Sequence, residues 1–335
     1  MVPGRYAHVS PFSLNESIMQ HFFPPDPHSV ALQQPAFVKL EEKDEVDATE
    51  VSQALQKCSN NSAPGPDQVP YGVWKGIHTV NHHVIPKLIN HLLSWSIHPP
   101  SLKDSLGILL SKPAKGDYDA FASYRVIALM QTFSKIAERI FNQRLIKFAK
   151  LNGLYSLRQT ESLLQRVTFD AVISLRDWVQ EARAAVLKAS TMFLDIKGEF
   201  DNMDNSTLLR RLQTKDVPEY MVKWKSNFIS YRQCTIIFPD SPREMRSINT
   251  GILQGSPLSP ILFVIYVEPL HDCIDPSREF ISSYVDDIQT TVSSNSWSMK
   301  SKLLGEAFAR IKNIATSLQL EFFDTQKGPY PLADP

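Results

Sequence analysis

Tyr284, Val285, Asp286 and Asp287 lie between two short runs that read as strands. Two adjacent carboxylates at the tip of a hairpin make a good place to hold a metal ion. About ninety residues earlier, Asp195 ends another strand-like run, Thr191 to Ile196, and Phe200 follows it. Taken alone, an Asp-Asp pair in a turn is more often plain turn chemistry. What gives the pair weight is the chain around it.

At 335 residues, the chain can bury a large core and hold one big domain or two ordinary ones. A content of 43% hydrophobic and 21% charged residues fits a globular protein. The longest apolar stretch, Ile261 to Val267, is far too short to span a bilayer, and the N-terminus has no signal-peptide pattern. A cytoplasmic or nuclear protein without a membrane partner is expected. Cys58, Cys234 and Cys273 are scattered with no CxxC spacing, which indicates neither a disulfide framework nor a zinc site and predicts reduced, mostly buried thiols.

The formal net charge of zero argues mildly against nucleic-acid binding, but the charges segregate. Glu41 to Glu50 holds six acids against one lysine, and Lys103 to Arg158 holds ten Lys or Arg against four acids. The second stretch reads either as the basic wall of a groove or as an ordinary solvated helix face.

The first forty residues are rich in proline and histidine without periodicity and read as an extended leader. Helices are predicted over Asp47 to Lys57, Phe133 to Lys150 and Phe169 to Glu181, the last with Val172, Leu175 and Val179 inward. The stretch Asn60 to Asp67 is a turn sequence. Beyond Asp195, helices are expected at Thr207 to Gln213 and Pro218 to Ser230, with strands at Gln233 to Phe238 and Arg243 to Asn249. Ser256 followed by Pro257 reads as the start of a buried helix reaching His271, because proline at the first helical position gives up only an unneeded donor. The hairpin with Asp286 and a helix from Trp297 to Leu318 follow. Strands interleaved with helices, with acids at strand ends, predict an α+β sheet domain with helices on one face.

Transfer of a nucleotide onto a nucleic-acid end uses two divalent metals roughly 3.5 to 4 Å apart, and carboxylates from separate strands can supply their ligands. At this point the chain resembles the reverse transcriptase of a non-LTR, LINE-type retrotransposon, over roughly Ser59 to Lys327. The likeness rests on six blocks in family order. They are Ala63 to Asp67 with Val69 and Pro70; Lys112, Pro113 and Lys115 with Tyr124, Arg125 and Ile127 to Leu129, leading to Ser134 and Lys135; and Gln159, Ser162, Leu163, Arg166, Thr168, Asp170 and Ala171. Then come Asp195, Ile196, Gly198, Phe200 and Asp201; Gly251, Leu253 to Gly255 and Pro257 to Pro260; and Tyr284 to Asp287.

The resemblance implies an α+β polymerase palm, an antiparallel sheet packed on helices, with fingers and with the thumb largely absent. It implies RNA-directed DNA synthesis with two Mg2+ ions (Mn2+ as the alternative), an RNA template, a DNA or RNA primer and deoxynucleoside triphosphates. Asp195 and Asp286 would be the main metal ligands, with Asp287 and the Ile196 carbonyl contributing. Phe200 would lie under the sugar of the incoming nucleotide and exclude a 2′-hydroxyl; its other reading is a core aromatic. Lys112 and Arg125 would hold the triphosphate. Gln254 and Gly255 would let the backbone approach the new base pair. Lys327 would protonate the leaving pyrophosphate, or else be a solvated lysine.

The match departs from the family at Val126, where proline is usual, at Gln68, where glycine is usual, and at Glu161, Leu164 and Val167. Glu199 adds a carboxylate beside Phe200. Beyond Lys327 the sequence is unlike the family's, with no room for a thumb, and upstream there is no length for an endonuclease. The expected division is a leader at 1–40, fingers and connection at 41–190, palm at 191–327 and a tail at 328–335. The competing reading is a truncated, catalytically inactive remnant that still binds nucleic acid.

Overall fold

The computed structural model describes residues 37–112, 124–154, 156, 158, 159, 168–198, 200, 202–237, 244–248, 251–323, 330 and 331, together with Gln20. Most of the expected leader and tail therefore lies outside the described residues. The chain forms two compact units, residues 1–143 with 216–259, and residues 144–215 with 260–335. The units interleave along the chain, whereas the expected division was sequential. The reason is long-range pairing, which no local signal announces.

In the first unit, helix α1 (Ala48–Gln56) starts on a reciprocal cap: the Glu50 amide donates to the Asp47 carboxylate at 2.8 Å, and Glu50 accepts in return from the Asp47 amide. Val51, Ala54 and Leu55 are buried, as their spacing predicts. Helices α2 (Tyr71–Val80) and α3 (Val84–Ser94) and the single turn α4 (Pro100–Lys103) follow. The sheet of this unit has the order β2-β1-β4-β5, with β1 at Asp104–Ser111, β2 at Tyr124–Met130, β4 at Arg232–Ile236 and β5 at Glu244–Ile248. Its β1/β2 and β4/β5 ladders are antiparallel, and β1/β4 is parallel, with Asp104 opposite Gln233. Ala128, Met130, Cys234, Ile236, Ile248 and Leu253 form one apolar cluster of this unit.

Helix α5 (Thr132–Leu151) follows β2, and Phe141 on it stacks on Trp224 of α8 (Glu219–Ile229), with ring centroids 3.9 Å apart. The basic stretch, read either as the wall of a groove or as a solvated helix face, is partly interior, because Lys103 is buried. Its burial, and then the nearby Arg232, bring its pKa down to about 8.

The second unit holds a sheet of order β6-β7-β3-β8, antiparallel at every ladder, with β3 at Lys188–Asp195, β6 at Glu279–Tyr284, β7 at Asp287–Ser294 and β8 at Tyr330–Pro331. Part of the expected tail thus pairs with β3. Helices α6 (Thr168–Ala184), α7 (Asn205–Thr214), α9 (Ser259–Val267) and α10 (Trp297–Ser317) accompany it. Ile261 to Val267 are buried all round, which follows from the absence of a polar face. Val172, expected to point inward from α6, is instead 57% exposed; Leu175 and Val179 are half-buried, and Ala182 is the buried residue of this helix among its described side chains. The α9 helix begins at Ser259 rather than at Pro257, because Ser256 and its neighbours form a turn in which the Ser256 amide donates to the Leu253 carbonyl at 3.1 Å. Together the two units make an α+β chain dominated by antiparallel pairing. Among the described residues no helix is long and apolar enough to cross a membrane.

Candidate active site

The carboxylates singled out by sequence fall in the second unit. Strands β6 and β7 pair as a hairpin in which Tyr284 faces Asp287, leaving Val285 and Asp286 as a two-residue turn. Val285 adopts φ 55°. A left-handed φ at the first central position suits the twist of a tight hairpin, yet a β-branched residue is rarely found there. Backbone held in that region costs of order 1–3 kcal/mol and is characteristic of functional turns.

The base of the hairpin is fixed by polar side chains. The Ser283 amide donates to the Arg158 carbonyl at 3.1 Å, the Ser283 hydroxyl is bonded to Gln159, and His271 Nε2 lies 2.7 Å from that hydroxyl. Arg158 Nη1 closes the loop on the His271 carbonyl at 2.8 Å. Burial brings the His271 pKa down to about 4, so the ring is neutral in this network near pH 7. At the far end of β6, Arg310 donates to both oxygens of the buried Glu279 at 2.5 Å.

Strand β3 brings the third carboxylate. Asp195 is the Cα partner of Asp287. The Asp195 carbonyl accepts from the Phe323 amide at 3.0 Å, and the Lys197 amide donates to the Glu321 carbonyl at 2.8 Å. Because backbone groups alternate sides along a strand, the Asp195 and Asp287 backbones do not bond each other, and theirs is the closer type of antiparallel pair. Residues directly opposite share a face, so both carboxylates project from the same side of the sheet. Both are exposed. The same alternation turns the carbonyl of Ile196 away from Phe322 and toward the β7 side.

Partial burial and then the negative charge of Asp286 raise the Asp287 pKa above its usual value. Among the described residues, no three His, Cys, Asp or Glu side chains are gathered closely enough to hold a metal by themselves. The fit to Mg2+ is nevertheless reasonable. Its usual donors are one or two protein carboxylates completed by water and phosphate oxygens, and a cation would relieve the repulsion at Asp287.

Phe200 packs partly into the interior, as its core-aromatic reading expects. It is half-buried, and its ring meets Phe263 edge-on at 5.6 Å between centroids. The loop between Asp195 and α7 is pinned by Tyr266, whose hydroxyl is 3.3 Å from the Asp204 amide, while the Asp204 carboxylate caps α7 at the Thr207 amide, 2.6 Å away.

The other expected residues belong to the first unit. Arg125 is exposed on β2 opposite Leu110, and Lys112 follows the end of β1 two residues beyond Leu110. Strand periodicity places the two cations on one face of the hairpin. Gln254 and Gly255 cross beside β2, and the Ala128 amide donates to the Gln254 carbonyl at 3.0 Å. Gly255 has φ 111°, and a Cβ there would stand 2.8 Å from the Ala128 carbonyl oxygen, so only glycine fits. Lys327, Asp201 and Glu199 lie outside the described residues.

Sequence reasoning assigned no role to Glu138, whose buried carboxylate is bonded to the hydroxyls of Ser134 and Ser256. Ser256 carried a signal, but a local one for a helix start. Its partner is 118 residues away.

Comparison with known proteins bears on this arrangement. Residues 112–322 match the family described as "Reverse transcriptase (RNA-dependent DNA polymerase)". The chain is 25% identical over 248 residues to a Drosophila melanogaster protein named "Probable RNA-directed DNA polymerase from transposon X-element", covering 72% of this chain and 27% of that protein. It is 23% identical over 251 residues to the "Probable RNA-directed DNA polymerase from transposon BS" of the same organism, covering 73% and 28%. It is 25% identical over 281 residues to the "Putative 115 kDa protein in type-1 retrotransposable element R1DM", also from Drosophila melanogaster, covering 83% and 26%. The chain spans about a quarter of the length of these relatives.

Proposed function

The chain belongs to the reverse transcriptase family, and from that premise we propose that it carries the polymerising core of a non-LTR retrotransposon enzyme, extending a DNA or RNA primer on an RNA template with deoxynucleoside triphosphates. The observation that carries this reading is the pairing of Asp195 with Asp287 across the β3–β7 ladder, next to the strained turn that holds Asp286.

Asp195, Asp286, Asp287 and the Ile196 carbonyl are the groups that would hold two Mg2+ ions. Bound there, divalent metal would lower the pKa of the primer hydroxyl and neutralise charge on the triphosphate. The rest falls to the chain's own residues. Lys112 and Arg125 supply cationic donors for phosphate oxygens. Gln254 and Gly255 present backbone to the forming base pair at a point where a side chain has no room. Phe200, braced by Phe263 and still half-exposed, gives a rigid aromatic surface against the sugar. In this assignment the second unit is the palm, and the first unit carries the fingers.

Primer extension on an RNA template, in Mg2+ and in Mn2+, tests the reading against an Asp286→Asn control. Product from the native chain and none from the control supports it. Template–primer binding with no product from either chain would replace it with that of an inactive nucleic-acid-binding remnant.

A further inference from the structure

A carboxylate in the interior of the first unit is out of keeping with packing alone. Glu138 lies on α5 with no exposed surface. An ionised carboxylate in such a place costs several kcal/mol unless it is fully bonded, and an apolar residue of the same size often serves stability as well or better. Burial does raise the Glu138 pKa, opposed by Arg232, by hydrogen bonds from Ser256 and Ser134, and by Lys225. Both oxygens are in use. Oε1 accepts from the Ser134 hydroxyl at 2.9 Å, one turn earlier on the same helix, and Oε2 accepts from the Ser256 hydroxyl. Ser134 is itself 3.1 Å from Nε2 of the buried His98.

The bond to Ser256 reaches a turn that also holds several hydrogen bonds of its own. The Ser256 amide and the Ser259 hydroxyl both donate to the Leu253 carbonyl, at 3.1 and 3.0 Å, and the Leu258 amide donates to the Ser256 hydroxyl at 3.2 Å. Gln254 and Gly255 form the outward side of this turn, with Gly255 exposed. Leu253 seats the turn in the apolar cluster, and hydrogen bonds tie it to the rest of the unit through the Ala128 amide on one side and Glu138 on the other.

We propose that Glu138 is a positioning residue, which through the Ser256 hydroxyl holds the Gln254–Gly255 turn at the height where its backbone meets the incoming nucleotide. The carboxylate serves as a two-point bracket: Ser134 fixes its rotamer on the helix, and Ser256 transmits that fixed position to the loop. The proposal rests on the polymerase reading for its consequence, but not for its mechanics.

Two measurements separate these parts, using the full chain and the variants Glu138→Leu, Glu138→Gln and Ser256→Ala. In primer extension, Glu138→Leu is expected to raise the KM for deoxynucleoside triphosphate about tenfold. The kcat should stay within about twofold, and template–primer affinity should be unchanged. Glu138→Gln, which keeps one acceptor, should restore most of the loss, and adding Ser256→Ala to Glu138→Leu should produce no further change. In hydrogen exchange, the Ala128 amide should open about tenfold faster in Glu138→Leu and should be largely restored in Glu138→Gln. An unchanged KM and unchanged exchange would overturn the proposal. So would equal falls in kcat and template–primer affinity tracking a lowered melting temperature, which would make Glu138 merely structural. If the native chain extends no primer, the polymerase reading fails and the exchange experiment alone decides the positioning role.

Discussion

Asp195 and Asp287 stand directly opposite each other across the β3–β7 ladder, so that their carboxylates share one face of the sheet. Burial and the neighbouring Asp286 raise the Asp287 pKa above its usual 3.8. A carboxylate raised in the folded state contributes stability that is complete below its unfolded pKa and is lost as pH climbs through the folded value. Asp287→Asn should therefore melt higher than the native chain at pH 7 without metal, and the difference should vanish in acid below the unfolded value. Mg2+ should raise the melting temperature of the native chain and do so less for the variant, because a ligand that binds only the folded state stabilises it. Extension should fall at least about a hundredfold. Calorimetry across pH and Mg2+ concentration checks the first two outcomes.

Gly255 allows one step of substitution to be read as geometry. An alanine Cβ would meet the Ala128 carbonyl oxygen at 2.8 Å on a backbone at φ 111°. Either the turn moves outward or the β2 edge gives way, at a cost of about 1–3 kcal/mol. Gly255→Ala should lower the unfolding free energy by that amount, seen as a lower urea midpoint, and weaken nucleotide binding, and urea titration with steady-state kinetics measures both.

Lys225 is buried on α8, with its ammonium 4.8 Å from the Phe228 ring centre and no hydrogen-bond partner among the described residues. Burial, then Arg232, holds its pKa well below 10.5. A base lowered in the folded state destabilises below its folded pKa, and stability recovers as pH rises from there to the unfolded value. Lys225→Met should remove that slope and stabilise the chain near neutral pH by about 1–4 kcal/mol, as apolar replacement of buried charge often does. A melting temperature that falls at pH 7 would show instead that the cation is compensated.

The parts of the fold that were legible in sequence are those with local causes. The helix between Asp47 and Lys57, the buried apolar run at Ile261–Val267 and the hairpin around Tyr284–Asp287 are each specified within a few residues, and each forms where expected. The order of motifs likewise led to the carboxylates of β3 and the β6–β7 hairpin. What stayed hidden depends on distance along the chain. The parallel pairing of β1 with β4 couples Asp104 to Gln233 and makes the two units interleave. Glu138 looks like one more charge on a helix until Ser256 arrives beside it. Val172 fits an inward stripe by spacing, but which stripe of α6 is covered depends on its neighbours. Periodicity specifies that a face is apolar; tertiary contacts choose among faces of similar character.

Gln68 joins the two kinds of information, since it stands where the family usually has glycine and adopts φ 58°. The sequence departure therefore falls on a backbone position where any side chain is strained, by roughly 1 kcal/mol. The side chain recovers part of this through its amide, which donates to the Gly65 carbonyl at 3.3 Å, a long bond near the surface. Gly65 itself is locked, because a Cβ there would come within 2.5 Å of the Gln131 amide nitrogen. The turn is thus held on the Gly65 side, and relaxing the Gln68 side leaves the fold intact. Gln68→Gly should raise the stability of the chain by about 0.5–1 kcal/mol, read as a higher urea midpoint at an unchanged slope. Gln68→Ala should gain nothing, because it loses the amide bond and keeps the strain. Equal stabilisation by both variants would mean that the side chain, rather than the backbone angle, is the source of the cost.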